Sequence, residues 1–221
     1  MDTLPRGPSV GVFLRPVGNP TPLGFLGLAV GTMVLAAMQL GWIPIGESSD
    51  VALVMVGFVF PLQLVAMIFA FLARDGAAAE GVGLVAGGWF VIGLVMLTSI
   101  PGSTSDTLGI FLLTVGLLLL GPALASAPTK TVAAAVFFGA SIRFALTGVY
   151  ELTASGAWES VAGIAGLVLF AIALYAGLSL TLADSRQGDG PLPLGRAEGG
   201  YPVGSDPIEQ VAREPGVRPL L

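Results

Sequence analysis

VALVMVGFVFPLQLVAMIFAFL, residues 51–72, contains no charged side chain. At 1.5 Å per residue a helix of this length reaches about 33 Å, enough to cross the hydrocarbon core of a bilayer. Working outward, comparable apolar runs occupy 22–42, 82–100, 108–125, 131–150 and 158–182. Together they predict an all-α polytopic membrane protein, a bundle of six transmembrane helices over residues 22–183. Residues 1–21 form a short leading segment. Residues 184–221 are rich in Gly, Pro and charge, which predicts a largely disordered tail. Within it 206–213 (DPIEQVAR) reads either as a short helix, with Asp206 as N-cap and Pro207 in the first turn, or as solvated chain.

Composition supports the bilayer. The 221 residues are 54% hydrophobic and 10% charged, whereas soluble domains carry about 25% charged residues. Mean hydropathy is +0.90. There is no Cys and no His, which removes disulfides, thiolate metal sites and the usual proton shuttle. No metal or other cofactor is expected. The net charge of −5, with no Lys/Arg cluster, gives no nucleic-acid signal. Pro5, Pro8, Pro16, Pro20 and Pro22 interrupt the start, so no cleavable signal peptide is expected and the first helix is retained.

The charges alternate between loops. Of nine Lys/Arg residues, Arg143 lies inside a predicted helix, and the other eight fall on one side of the membrane. They are Arg6, Arg15, Arg74, Lys130, Arg186, Arg196, Arg213 and Arg218. The opposite side carries Glu47, Asp50, Asp106, Glu151 and Glu159. By the positive-inside rule both termini are cytoplasmic, as expected of a multi-pass protein of the cell (inner) membrane. A helix count wrong by one would destroy the alternation. Trp42, Tyr150 and Trp158 sit at the outer boundary, where aromatics gather. The loops are short, and no nucleophile–base pair or phosphate loop stands out, so no enzyme is expected.

Asn19-Pro20-Thr21-Pro22-Leu23-Gly24-Phe25 is the most specific local motif. Pro20 and Pro22 favour an extended approach and a sharp helix start, and Asn19 or Thr21 can satisfy N–H groups there. Such a start is also a place where partial positive charge faces a solute. The motif resembles the N-P-[AV]-P-[LF]-G-[LF] signature of the acetate uptake transporter family, also called the succinate–acetate permease family. The resemblance extends to Met67-Ile68-Phe69-Ala70, to Phe137-Phe138 with Phe144-Ala145-Leu146, and to Leu192-Pro193-Leu194-Gly195. Glu214-Pro215-Gly216-Val217-Arg218 is similar to the tails of actinobacterial members.

The resemblance implies transport of small carboxylates, chiefly acetate and succinate. It also implies a channel-like path in each protomer and a homo-oligomer, a ring of six. Thr21 departs from the family's Ala or Val. Family members narrow the path with bulky residues on helices 1, 3 and 5, and those positions align with Leu28, Gly87 and Ala140. Gly and Ala there imply a wider passage.

Arg143 lies about 18 Å along a helix begun at Thr131, past the midplane. A guanidinium at such depth is costly and must face the bundle interior. It reads as a fixed cation for a carboxylate substrate, as one half of a structural ion pair with Glu151 or Glu159, or as a side chain that snorkels toward the outer surface. Gln63, beside Pro61, either serves the carbonyl that proline frees or lines the path. Gln39, Thr98, Ser99, Thr114, Ser141 and Thr147 are weaker polar candidates. The pairs Gly27/Gly31, Gly83/Gly87 and Ala173/Gly177 suit close helix packing. No Asp or Glu lies deep in a predicted helix, which favours facilitated diffusion or a substrate that carries its own proton. Two other readings remain: a passive channel for a different small solute such as urea or ammonia, and a non-transporting membrane scaffold subunit.

Overall fold

A computed structural model describes residues 18–185 and 191–193. The expected helix at 206–213 and the Glu214–Arg218 motif lie outside them. Among the described residues the secondary structure is helical, and six helices are long and apolar enough to cross a membrane. They are span 1 (Thr21–Gln39), span 2 (Ile45–Leu72), span 3 (Gly76–Thr98), span 4 (Asp106–Ser126), span 5 (Thr131–Thr153) and span 6 (Gly156–Ser185).

Local chemistry explains their ends. Asn19 Oδ1 accepts from the Thr21 N–H at 3.1 Å, and Pro22 occupies the first turn of span 1, where no N–H is needed. Gly41, at φ +74°, stops that helix in a conformation that glycine adopts cheaply. Span 2 contains a π-helical turn, Met55–Val59, just before Pro61. A proline ring clashes with the carbonyl four residues back, here Gly57, and the wider π turn relieves that clash. Asp75 caps span 3 by accepting from the Ala78 N–H. The helix of span 4 is interrupted at Leu119, where Pro122 has no N–H for the Leu118 carbonyl. Spans 5 and 6 run further than the apolar pattern, so Glu151 and Glu159 lie in helical end turns rather than in a loop.

Span 1 packs against span 6 and span 2, span 5 against spans 4 and 6, and span 2 against span 3. The tightest backbone approach joins spans 4 and 5. A Cβ on Gly148 would lie 2.8 Å from the Gly109 carbonyl oxygen, and one on Gly116 would lie 2.9 Å from the Ser141 carbonyl oxygen. Gly27, Gly31, Gly83 and Gly177 face neighbouring helices as their spacing predicts. Gly87 faces open space.

One expectation for Gln63 is corrected. It does not serve the carbonyl freed by Pro61. Its Nε2 donates to the Gly24 carbonyl of span 1 at 3.1 Å, while its Oε1 is buried without a partner. Gln63 therefore ties span 2 to span 1.

Candidate functional site

Two cavities open at opposite ends of the bundle. The first, at the end where span 1 begins, is about 80 Å³. Asn19, Thr21, Asp75, Ser126, Lys130 and Phe137 line it. Lys130 Nζ donates to Asp75 Oδ2 across its mouth, and Asn19 Nδ2 reaches Asp184 at 3.5 Å. The second lies where span 1 ends, about 27 Å further along that helix. It has a narrow inner part of about 60 Å³ and a wider outer part of about 330 Å³. Gln39, Tyr150 and Glu159 line both parts, and Thr147, Glu151 and Ser48 line the inner one. Glu151 accepts from the Ser105 N–H at 2.8 Å, which holds the loop after span 3 over the cavity.

An aromatic plug separates the two. Phe137 and Phe144 are seven residues apart on span 5 and so share one face. Each ring lies on a glycine of span 3: a Cβ on Gly81 would fall 2.3 Å from Phe137, and one on Gly88 would fall 2.3 Å from Phe144. Phe25 meets Phe137 edge-on at 5.7 Å, and Trp89 meets Phe144 at 5.5 Å. Leu28 and Ala140 are buried in the same layer. Span 3 therefore turns Gly88, not Gly87, toward span 5. Gly87, which the sequence aligned with a narrowing position on helix 3, faces open space, and the glycine pair that receives the rings is Gly81 and Gly88.

Arg143 sits between the plug and the second cavity and is 1% exposed. Its Nη1 donates to Thr147 Oγ1, and its Nη2 donates to Gln39 Oε1 at 2.6 Å. Its Nε is buried without a partner against Gly166, where a Cβ would intrude to 2.8 Å. Among the described residues no carboxylate pairs with it, so the alternative of an ion pair with Glu151 or Glu159 does not form, and its burial leaves no room for snorkelling. Small residues make the space: Gly166 on span 6 and Ala36 on span 1 pack beside the guanidinium.

Of the residues singled out from the sequence, Asn19 and Thr21 line the first cavity, with Pro20 and Pro22 shaping the turn beside them. Leu28 and Ala140 belong to the plug layer, and Arg143 flanks it. Gln63 braces span 1 to span 2. Gln39 and Thr147, weaker candidates by sequence, are the partners that Arg143 selects. Ser48 was missed, since a serine beyond a helix end carries no distinguishing pattern.

No family model matches the chain. An uncharacterized protein of Methanothermobacter thermautotrophicus is 27% identical over 186 residues, covering 77% of this chain and 88% of that protein. The solved structure of the bacterial acetate channel SatP superposes with a TM-score of 0.71 at 22% identity, covering 81% of this chain and all (100%) of that one. The chain therefore shares that channel's fold.

Proposed function

We propose that the protein is a channel or transporter for small carboxylates, acetate and in second place succinate, of the acetate uptake transporter family and its actinobacterial type. One observation carries this reading: a buried guanidinium with no carboxylate partner among the described residues lies between two cavities that open at opposite ends of the bundle. A neutral solute gives no reason to keep a cation there at a cost of several kcal/mol. The signature at Asn19–Phe25 and the fold of an acetate channel point the same way. The assembly proposed is a homo-oligomer, a ring of six, with a path through each protomer.

Uptake of labelled acetate and succinate by proteoliposomes tests the proposal. Saturable flux above empty liposomes is the expected result. No flux of either acid from folded protein overturns it.

The plug sets the size limit on this path. Phe144→Ala removes the ring between Trp89 and Gly88, at a cost of about 3–5 kcal/mol in stability. Succinate uptake relative to acetate is expected to rise by about tenfold, on the order of 1.4 kcal/mol of barrier. An unchanged ratio would take the plug off the path.

The proposed orientation puts both termini in the cytoplasm, on the side of the Lys130 loop. A C-terminal epitope should then stay hidden from antibody in intact cells and become accessible on permeabilisation. Staining of intact cells would reverse the orientation.

A further inference from the structure

We propose that Gln39 is the residue that recognises the carboxylate in the second cavity, and that Arg143 acts by fixing the direction of the Gln39 amide. This inference rests on the reading of the chain as a small-carboxylate pathway. A guanidinium has donors only, so the Gln39 atom that meets Nη2 at 2.6 Å is the carbonyl oxygen. The Nε2 group must then point away from Arg143. Gln39 lines both the inner and the outer part of the cavity, and its Nε2 is not sealed in the protein interior. Its two N–H donors therefore face the space that a solute would enter.

The remaining polar groups at this depth agree. Thr147 Oγ1 is already committed, accepting from Arg143 Nη1 and donating to the Arg143 carbonyl at 3.0 Å. Ser48 Oγ, on the cavity wall, is buried without a partner. Among the described hydroxyls that line the cavity, that of Ser48 is the one buried without a partner, so it and the Gln39 amide N–H pair are the donors argued for here, with a cation behind the amide. A carboxylate presents two acceptor oxygens that can use both donors, and the charge behind Gln39 strengthens its N–H groups.

The same geometry names the class of anion. A single cation lies behind the donors, while Leu35, Ile92 and Leu112 make the wall apolar, and Glu151 and Glu159 sit in the cavity lining. A monocarboxylate has its charge matched and its short alkyl end covered. A dicarboxylate leaves a second charge unmatched in low dielectric, near two carboxylates. The site is therefore built for short monocarboxylates. Arg143 is a positioning residue, and Gln39 and Ser48 are the binding groups.

The test compares the wild type with Gln39→Glu and Ser48→Ala. Two readings are taken: the concentration dependence of acetate uptake in proteoliposomes, and the shift in Tm of purified protein on adding sodium acetate, with sodium chloride as control. Gln39→Glu keeps the side-chain size but pairs Arg143 and turns an acceptor toward the cavity. Its KM for acetate is expected to rise at least about tenfold, with loss of the acetate-dependent Tm shift. Ser48→Ala should raise KM by about threefold. Unchanged KM and unchanged Tm shift in Gln39→Glu, with saturable wild-type flux, overturn this inference alone. An acetate-dependent Tm shift that Gln39→Glu abolishes, without wild-type flux, would support the binding site and overturn the transport reading. Neither flux nor an acetate-dependent shift in the wild type overturns both. A wild-type Tm shift as large with succinate as with acetate overturns the monocarboxylate assignment.

Discussion

Arg143→Leu is expected to lower carboxylate uptake by about a hundredfold while the protein stays folded and no less stable. Arg143 is enclosed by spans 1, 5 and 6, and among the described residues its guanidinium bonds to neutral groups, Gln39 and Thr147. A buried charge without a counter-charge is a net cost, and replacing it by an apolar side chain is neutral or stabilising. The change leaves one acceptor without its partner, Gln39 Oε1, and the amide can turn that oxygen to the cavity that its side chain borders. Thr147 keeps its bond to the backbone carbonyl of residue 143. An anion crossing the plug, by contrast, loses the one positive charge that the described residues place at that depth. Removing one partner of such a buried charge interaction costs about 2–5 kcal/mol, and about 2.7 kcal/mol within that range corresponds to roughly a hundredfold. The check pairs uptake, normalised to reconstituted protein, with Tm in detergent. Unaltered saturable uptake would remove Arg143 from the path. A large loss of Tm would make its role structural.

Gly148→Val is expected to prevent folding. A Cβ at Gly148 would lie 2.8 Å from the Gly109 carbonyl oxygen and 3.0 Å from the Leu113 backbone nitrogen. These are backbone atoms on span 4 and cannot rotate away. Spans 4 and 5 would have to separate, which opens the packing around Leu112 and Ser141 as well. Overpacking in cores costs about 1–3 kcal/mol when side chains can adjust, and a clash against backbone exceeds that. In lipid no hydrophobic effect draws the helices back together, so the lost contacts are not replaced. Monodisperse protein after detergent extraction is the readout. Gly87→Ala serves as control, because a Cβ there meets nothing within 4 Å. A Gly148→Val protein that elutes and melts like the wild type would refute the argument.

The sequence by itself determined the six spans. Each run of about twenty apolar residues exceeds what a soluble element of that length tolerates, and the alternation of basic and acidic loops agrees with the count. It also singled out Arg143, since a cation in an apolar run is conspicuous without any structure. Pattern alone could not supply the partners. Gln39 and Arg143 are 104 residues apart in sequence, and their hydrogen bond exists only because spans 1, 5 and 6 converge on Gly166. Which glycine faces span 5 was equally hidden. Gly87 and Gly88 are adjacent, and a helix rotates about 100° per residue, so only the packed bundle decides that Gly88 receives Phe144. Ser48 acquired its meaning the same way, as a hydroxyl left without a partner where span 2 closes over the cavity. Span length and depth are one-dimensional properties of a chain in a bilayer, and sequence carries them. Facing is a property of how the helices rotate against each other, and the tertiary contacts fix it.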